Sequence, residues 1–197
     1  MAISGPAQAK HSKADVFTFF NADGSPAAGD VVGEATLKRS KESVNLTVHT
    51  TGLGSGDAYT IWWIIFNNPD ACDPAGCSGA DFPQNGGDPA VEASVMNATG
   101  RVADSDGNAW FSAVLPGGFM HTNPDSGNVR QAFGPGLQNV KGAEIHIVVR
   151  CHGLWSNNVE QISTLFGDCF ADTSSDPDGN GCFDIQAAVF PKPKTKK

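Results

Sequence analysis

The chain has 197 residues with 23 Gly and 12 Pro, only 17% charged residues and a formal net charge of −8. That length suits one domain with a sizeable core, and no stretch approaches the ~18–20 apolar residues of a membrane helix. Four lysines stand in the last seven residues, which leaves a body near −12 and excludes a nucleic-acid-binding body.

Many punctuating residues with few charges fit short strands joined by turns better than helices. In chain order, residues 1–14 read as a flexible N-terminal segment whose small residues resemble the end of a cleaved leader. A first strand over 15–20 ends at the turn cluster 21–26. Strands over 31–37 and 44–48 flank the charged turn 38–42, and in the second Val44, Leu46 and Val48 alternate inward against Asn45, Thr47 and His49. The run 59–66 (YTIWWIIF) is apolar on both faces, which predicts a central strand covered on two sides.

Residues 67–92 form a long loop carrying Cys72 and Cys77; loops of that length are usually functional, tied down or disordered, and the cysteines argue for tied down. Strands over 93–102 and 109–115 make a hairpin across Asp104-Ser-Asp-Gly-Asn108, a turn that lacks the closing glutamate of a calcium hand. A second long loop, 116–142, holds His121 and Arg130, and strands follow over 143–151, 161–166 and 183–190. The expectation is all-β: a Greek-key-like antiparallel β-sandwich of about eight or nine strands with long disulfide-tied loops. One domain spans 15–190, with a basic flexible tail at 191–197.

Five cysteines without a C-x-x-C pair read as two disulfides plus one buried thiol, Cys151, in an oxidising compartment: secreted, periplasmic or cell-surface. Local spacing favours Cys72–Cys77 and Cys169–Cys182, each closing its own loop.

Chemistry concentrates on 144–152. In a strand, Glu144, His146, Val148, Arg150 and His152 share one face and Ile145, Ile147, Val149 and Cys151 the other. With i and i+2 neighbours roughly 6.6 Å apart, His146 can be bridged by Glu144 or Arg150, whereas His146 and His152 cannot share a metal directly. The stripe reads either as residues paired with neighbouring strands, or as an anion or small-ligand site of Glu144, His146, Arg150 and His152, or as a metal site. A rearranged copper or zinc site would use His121, His146 and His152, with His49 as a further candidate; otherwise no cofactor is expected. No G-x-S-x-G elbow or H-E-x-x-H motif is present, and no catalytic residue is assigned.

The segment Gly33-Glu-Ala-Thr-Leu37, the strand 44–49, and Thr51-Gly-Leu-Gly-Ser-Gly-Asp-Ala58 ahead of the central run resemble the opening of copper/zinc superoxide dismutase. Chordin-type (CHRD) domains open similarly. The resemblance continues through Ala75-Gly-Cys-Ser-Gly-Ala-Asp-Phe82, the acidic-turn hairpin 98–110 and Gly181-Cys-Phe-Asp-Ile-Gln186. It implies a related sandwich and a Cys77–Cys182 bridge, leaving Cys72 and Cys169 to pair. It also sets the family's central-strand copper histidines at Trp62 and Ile64, which cannot ligate metal, and a later ligand near Arg150. The loop 72–92 holds no histidine, so superoxide dismutation is not expected. Trp62 then serves as core or as the wall of an aromatic pocket.

Function is expected to be non-enzymatic: a binding or surface-interaction module for an unknown small molecule or protein surface. The alternatives are the histidine-based ligand site above and a subunit of an extracellular assembly that self-associates through its tails.

Overall fold

Strands are dictated here by period-two alternation of small, β-branched and aromatic residues between Gly- and Pro-rich turns. In a computed structural model, which describes residues 10–19, 29–74, 76–118, 131–162 and 183–194, they run as β1 (Lys10–Thr18), β2 (Val31–Arg39), β3 (Ser43–Thr50), β4 (Asp57–Phe66), β5 (Ala93–Val102), β6 (Ala109–Pro116), β7 (Gln131–Phe133), β8 (Glu144–Leu154) and β9 (Phe183–Phe190). All pairs are antiparallel, in the single order β6-β3-β2-β1-β9-β8-β4-β5-β7. Eight strands nearly close into a barrel, and the three-residue β7 extends the edge of β5.

Two halves face each other across the core. They are joined on one side by just two β1–β9 register pairs, Phe17↔Ala187 and Thr18↔Gln186. On the other side the 103–108 turn carries the chain from β5 to β6. Leu37, Val44, Leu46, Val48 and Phe111 from one half meet Tyr59, Ile61, Trp63, Ile65, Ile147 and Val149 from the other in one buried cluster. The chain passes from β3 to β4 across the molecule and returns from β5 to β6 beside β3, a Greek-key path. Tyr59 pins that crossing: its hydroxyl accepts the Gly54 N–H at 2.7 Å, the tyrosine-corner arrangement of such sandwiches. The hairpin turn is closed by Asp104, whose carboxylate accepts the N–H groups of Asp106 and Asn108 and is held below the usual carboxylate range by those bonds. Gly107 is required there, with φ +73° and the Leu53 carbonyl 2.4 Å from where a Cβ would stand.

Several expectations need correction. β1 begins at Lys10, inside the segment expected to be a flexible lead-in. Its polar-and-small alternation, with His11, Lys13 and Asp15 exposed beside part-buried Ser12 and Ala14, hid a paired strand. Arg39, expected in a charged turn, is buried at the end of β2. Its guanidinium donates to the carbonyls of Val140 and Ala143 at 2.8 Å each, and burial lowers its pKa to about 10. Tail residue Lys192 is paired with Asp70, and its N–H reaches a Glu144 oxygen at 3.4 Å. Gln161 and Ile162, expected to open a strand, end the 3-10 turn Val159–Ile162.

The loop 67–92 is tied down as expected, and by more than cysteine. Four 3-10 turns (Pro69–Ala71, Gly79–Asp81, Pro83–Asn85, Pro89–Val91) fold it back over Phe66. The Cys72–Cys77 bridge closes it locally, with the Cα atoms 5.1 Å apart. The resemblance-derived Cys77–Cys182 pairing is therefore set aside, because the first turn brings Cys72 to Cys77 within six residues. Cys169, Cys182, His121, Arg130, the turn 21–26, residues 163–166 of the expected strand, and positions 1–9 and 195–197 of the termini lie outside the described residues.

Candidate functional site

The two halves of the barrel treat their outer faces differently, and this asymmetry locates the candidate sites. On β4, Thr60, Trp62, Ile64 and Phe66 point outward; opposite them in register stand Arg150, Val148, His146 and Glu144 of β8. The predicted stripe therefore exists on one face. Yet this outer face is largely covered: Thr60, Trp62, Val148 and His152 are all buried.

What covers it follows from local sequence. After β8 the chain turns back over β4 and β5, held by Gln161, whose amide donates to the carbonyls of His152 and Leu154 at 3.0 and 2.9 Å. The same side chain accepts the Ser156 N–H at 2.9 Å. Ile162 then sits on Gly100, where any Cβ would meet the Ile162 carbonyl at 2.1 Å. Trp62, Val148 and Ala187 form a second small cluster flanked by Phe17, Ile64 and Val95.

Glu144, His146, Arg150, His152 and Trp62 each meet an internal partner. Glu144 and His146 bond each other at 2.8 Å, and His146 also abuts the Phe66 ring edge-on, centroids 5.1 Å apart. Arg150 donates to Asp184 at 3.0 Å. Trp62 Nε1 donates to Thr60 Oγ1 at 2.9 Å, and Thr60 Oγ1 lies 2.7 Å from His152 Nε2. Thr60 Oγ1 thus takes the indole proton and also bonds His152 Nε2, donating to it or accepting from it according to the imidazole tautomer. Burial, and next the Arg150 charge, lower the His152 pKa to about 4, so the ring is neutral across the physiological range.

A threonine hydroxyl against a neutral imidazole has the elements of a nucleophile and its base. Here Thr60 is fully buried and His152 is 2% exposed, so neither presents a surface at which a substrate carbonyl could be attacked. Cys151 faces the core instead, as expected; it is free and buried, and burial pushes its thiol up, away from the reactive thiolate. His146 and His152 lie roughly 20 Å apart along the strand. Among the described residues no group of three or more His, Cys, Asp or Glu side chains is arranged to hold a metal ion.

The outer face of β6-β3-β2-β1 is open to solvent. Its first row is Trp110–His49–Glu34–Asp15, its second Ser112–Thr47–Thr36–Lys13, and its third Val114–Asn45–Lys38–His11. Trp110 is 69% exposed, and its ring stacks on His49 with centroids 4.0 Å apart and planes 23° from parallel. One indole face is thus held against imidazole while the other meets water. Sequence reasoning admitted His49 only as a spare metal ligand and passed over Trp110. The signal was present: in the 109–115 strand, Trp110 alternates outward between Ala109 and Phe111, where a large aromatic has no core to fill.

Comparison with protein-family models and with curated protein sequences finds no significant match.

Proposed function

We propose that this chain is a non-enzymatic binding module that works outside the cytoplasm, secreted, periplasmic or on the cell surface, and meets its partner through the open face of β6-β3-β2-β1. The observation that carries this reading is Trp110, a large aromatic displayed on a mostly polar face and stacked on His49. Holding such a ring in water forgoes hydrophobic free energy, which contact with a partner would recover. The Cys72–Cys77 bridge supports an oxidising compartment. Kinship with superoxide dismutase-like and chordin-type sandwiches is supported by the Greek-key path and by a cysteine loop directly after the central strand, while Trp62 and Ile64 at the copper positions argue against dismutation.

The reading predicts that purified protein is retained on extracellular or cell-envelope polymer preparations. Trp110→Ala should weaken retention about tenfold, the weight of one well-placed aromatic contact, without shifting the melting temperature. Equal retention of variant and wild type would remove the basis of the proposal.

A further inference from the structure

The open face also narrows the class of ligand, an inference that rests on the binding-module reading above. We propose that it binds a neutral glycan, with one hexopyranose ring stacked on the free side of Trp110 and its hydroxyls met by Ser112, Thr47 and Asn45.

Three observations converge on this chemistry. First, the platform is flat and rigid: the His49 stack orients the indole parallel to a neighbouring ring, so little side-chain freedom is lost when a ligand arrives. A sugar ring presents one face of C–H groups to an aromatic surface and a rim of hydroxyls to everything beside it. Second, the rim here is built from short side chains that both donate and accept. Ser112 and Thr47 are exposed and directly paired in register, and Asn45 follows in the next row beside Val114. Third, the charge balance selects for neutrality. Lys13 is paired with Glu34 at 2.7 Å. Lys38, beside Asn45 in the third row, is an exposed cation outside that ion pair, and a single lysine on a chain of net charge −8 is too little to favour an acidic polymer.

The composition of the face also argues against a protein partner. A stable protein interface needs an apolar centre within roughly 1,000 Å² or more of buried surface. In these three rows, only Trp110 and Val114 are large apolar groups, and both lie on the outermost strand, β6; every row continues inward with polar or charged residues. One aromatic platform with a polar surround suits a small polyhydroxylated ring better.

The test is a binding screen with neutral hexasaccharides of β-linked glucose, mannose and N-acetylglucosamine, with oligogalacturonate as the acidic control. Wild type is expected to bind at least one neutral hexasaccharide and not the acidic control. Trp110→Ala should weaken binding about tenfold, and the Thr47→Ala, Ser112→Ala double variant about threefold. Both alter exposed side chains, so unchanged circular dichroism and melting would certify the fold. Absence of binding to every neutral hexasaccharide, or binding that Trp110→Ala leaves intact, overturns the assignment. If Trp110→Ala abolishes retention on envelope polymers while all neutral sugars fail, the glycan assignment falls and the binding-module reading survives. If retention is also insensitive to Trp110, both fall.

Discussion

Asn67→Ala is expected to destabilise the fold by on the order of 3 kcal/mol, read as a lower urea midpoint at unchanged slope. The residue is 2% exposed and follows the last residue of β4, where both long loops converge. Its amide nitrogen donates to the Glu92 carbonyl at 2.9 Å and the Gly136 carbonyl at 2.8 Å. Its amide oxygen accepts the N–H groups of Gln138 and Asn139 at 2.8 and 3.1 Å. Alanine leaves these backbone groups without their asparagine partner, and the cost is set by stranding them rather than by the bonds themselves. Asn67→Asp separates the two sides of the amide. It keeps the acceptor oxygen for 138 and 139 but turns the donor into a second acceptor facing two carbonyls, so it should be no more stable than alanine. A stability change below about 0.5 kcal/mol for Asn67→Ala would mean the loops are held without it, by the Phe66–Phe82–Phe133 packing, the Cys72–Cys77 bridge and the Arg39 bonds.

Asn67 also shows where sequence reasoning reaches and where it stops. The strand pattern of β3 and β4 was legible because alternation is a local property: Val44, Leu46 and Val48 face inward whatever their partners are. The shared face of Glu144, His146, Arg150 and His152 was legible for the same reason. Their partners were not. Thr60 meets His152, and Asp184 meets Arg150, only through cross-strand register, which depends on irregularities at Asp57/Tyr59 between β4 and β8 and at Val149/Arg150 between β8 and β9. Arg39 and Asn67 bind backbone carbonyls roughly 70 to 100 residues further on, with no side-chain pattern to betray them. β7 escaped notice because three residues are too few to display a period. Trp110 is the opposite case: its outward position was legible from alternation, and only the exposure of that half of the barrel gave it meaning.

Acid should weaken the protein through His152 in a defined window. In the unfolded chain the imidazole titrates near its ordinary value of 6.5; in the fold its pKa is about 4. The unfolded state therefore takes up a proton between these values while the folded state does not, and stability falls as pH drops from about 6.5 toward 4. The loss attributable to this one group is about 2 kcal/mol at pH 4.5 relative to pH 7, and about 3 kcal/mol below pH 4, where both states are protonated and the dependence levels off. Its molecular cause is that a protonated ring must carry its charge in a buried site, beside the Arg150 charge. Carboxylates titrate in the same range, so the informative quantity is a difference between proteins. His152→Gln keeps a carbonyl oxygen available to Thr60 but cannot titrate. It should be less stable than wild type at pH 7, yet lose about 2 kcal/mol less between pH 7 and 4.5. A His152 imidazole resonance, assigned by its absence from His152→Gln, that titrates above pH 6 in the folded protein, or parallel pH profiles for the two proteins, would show that His152 is not held neutral by burial.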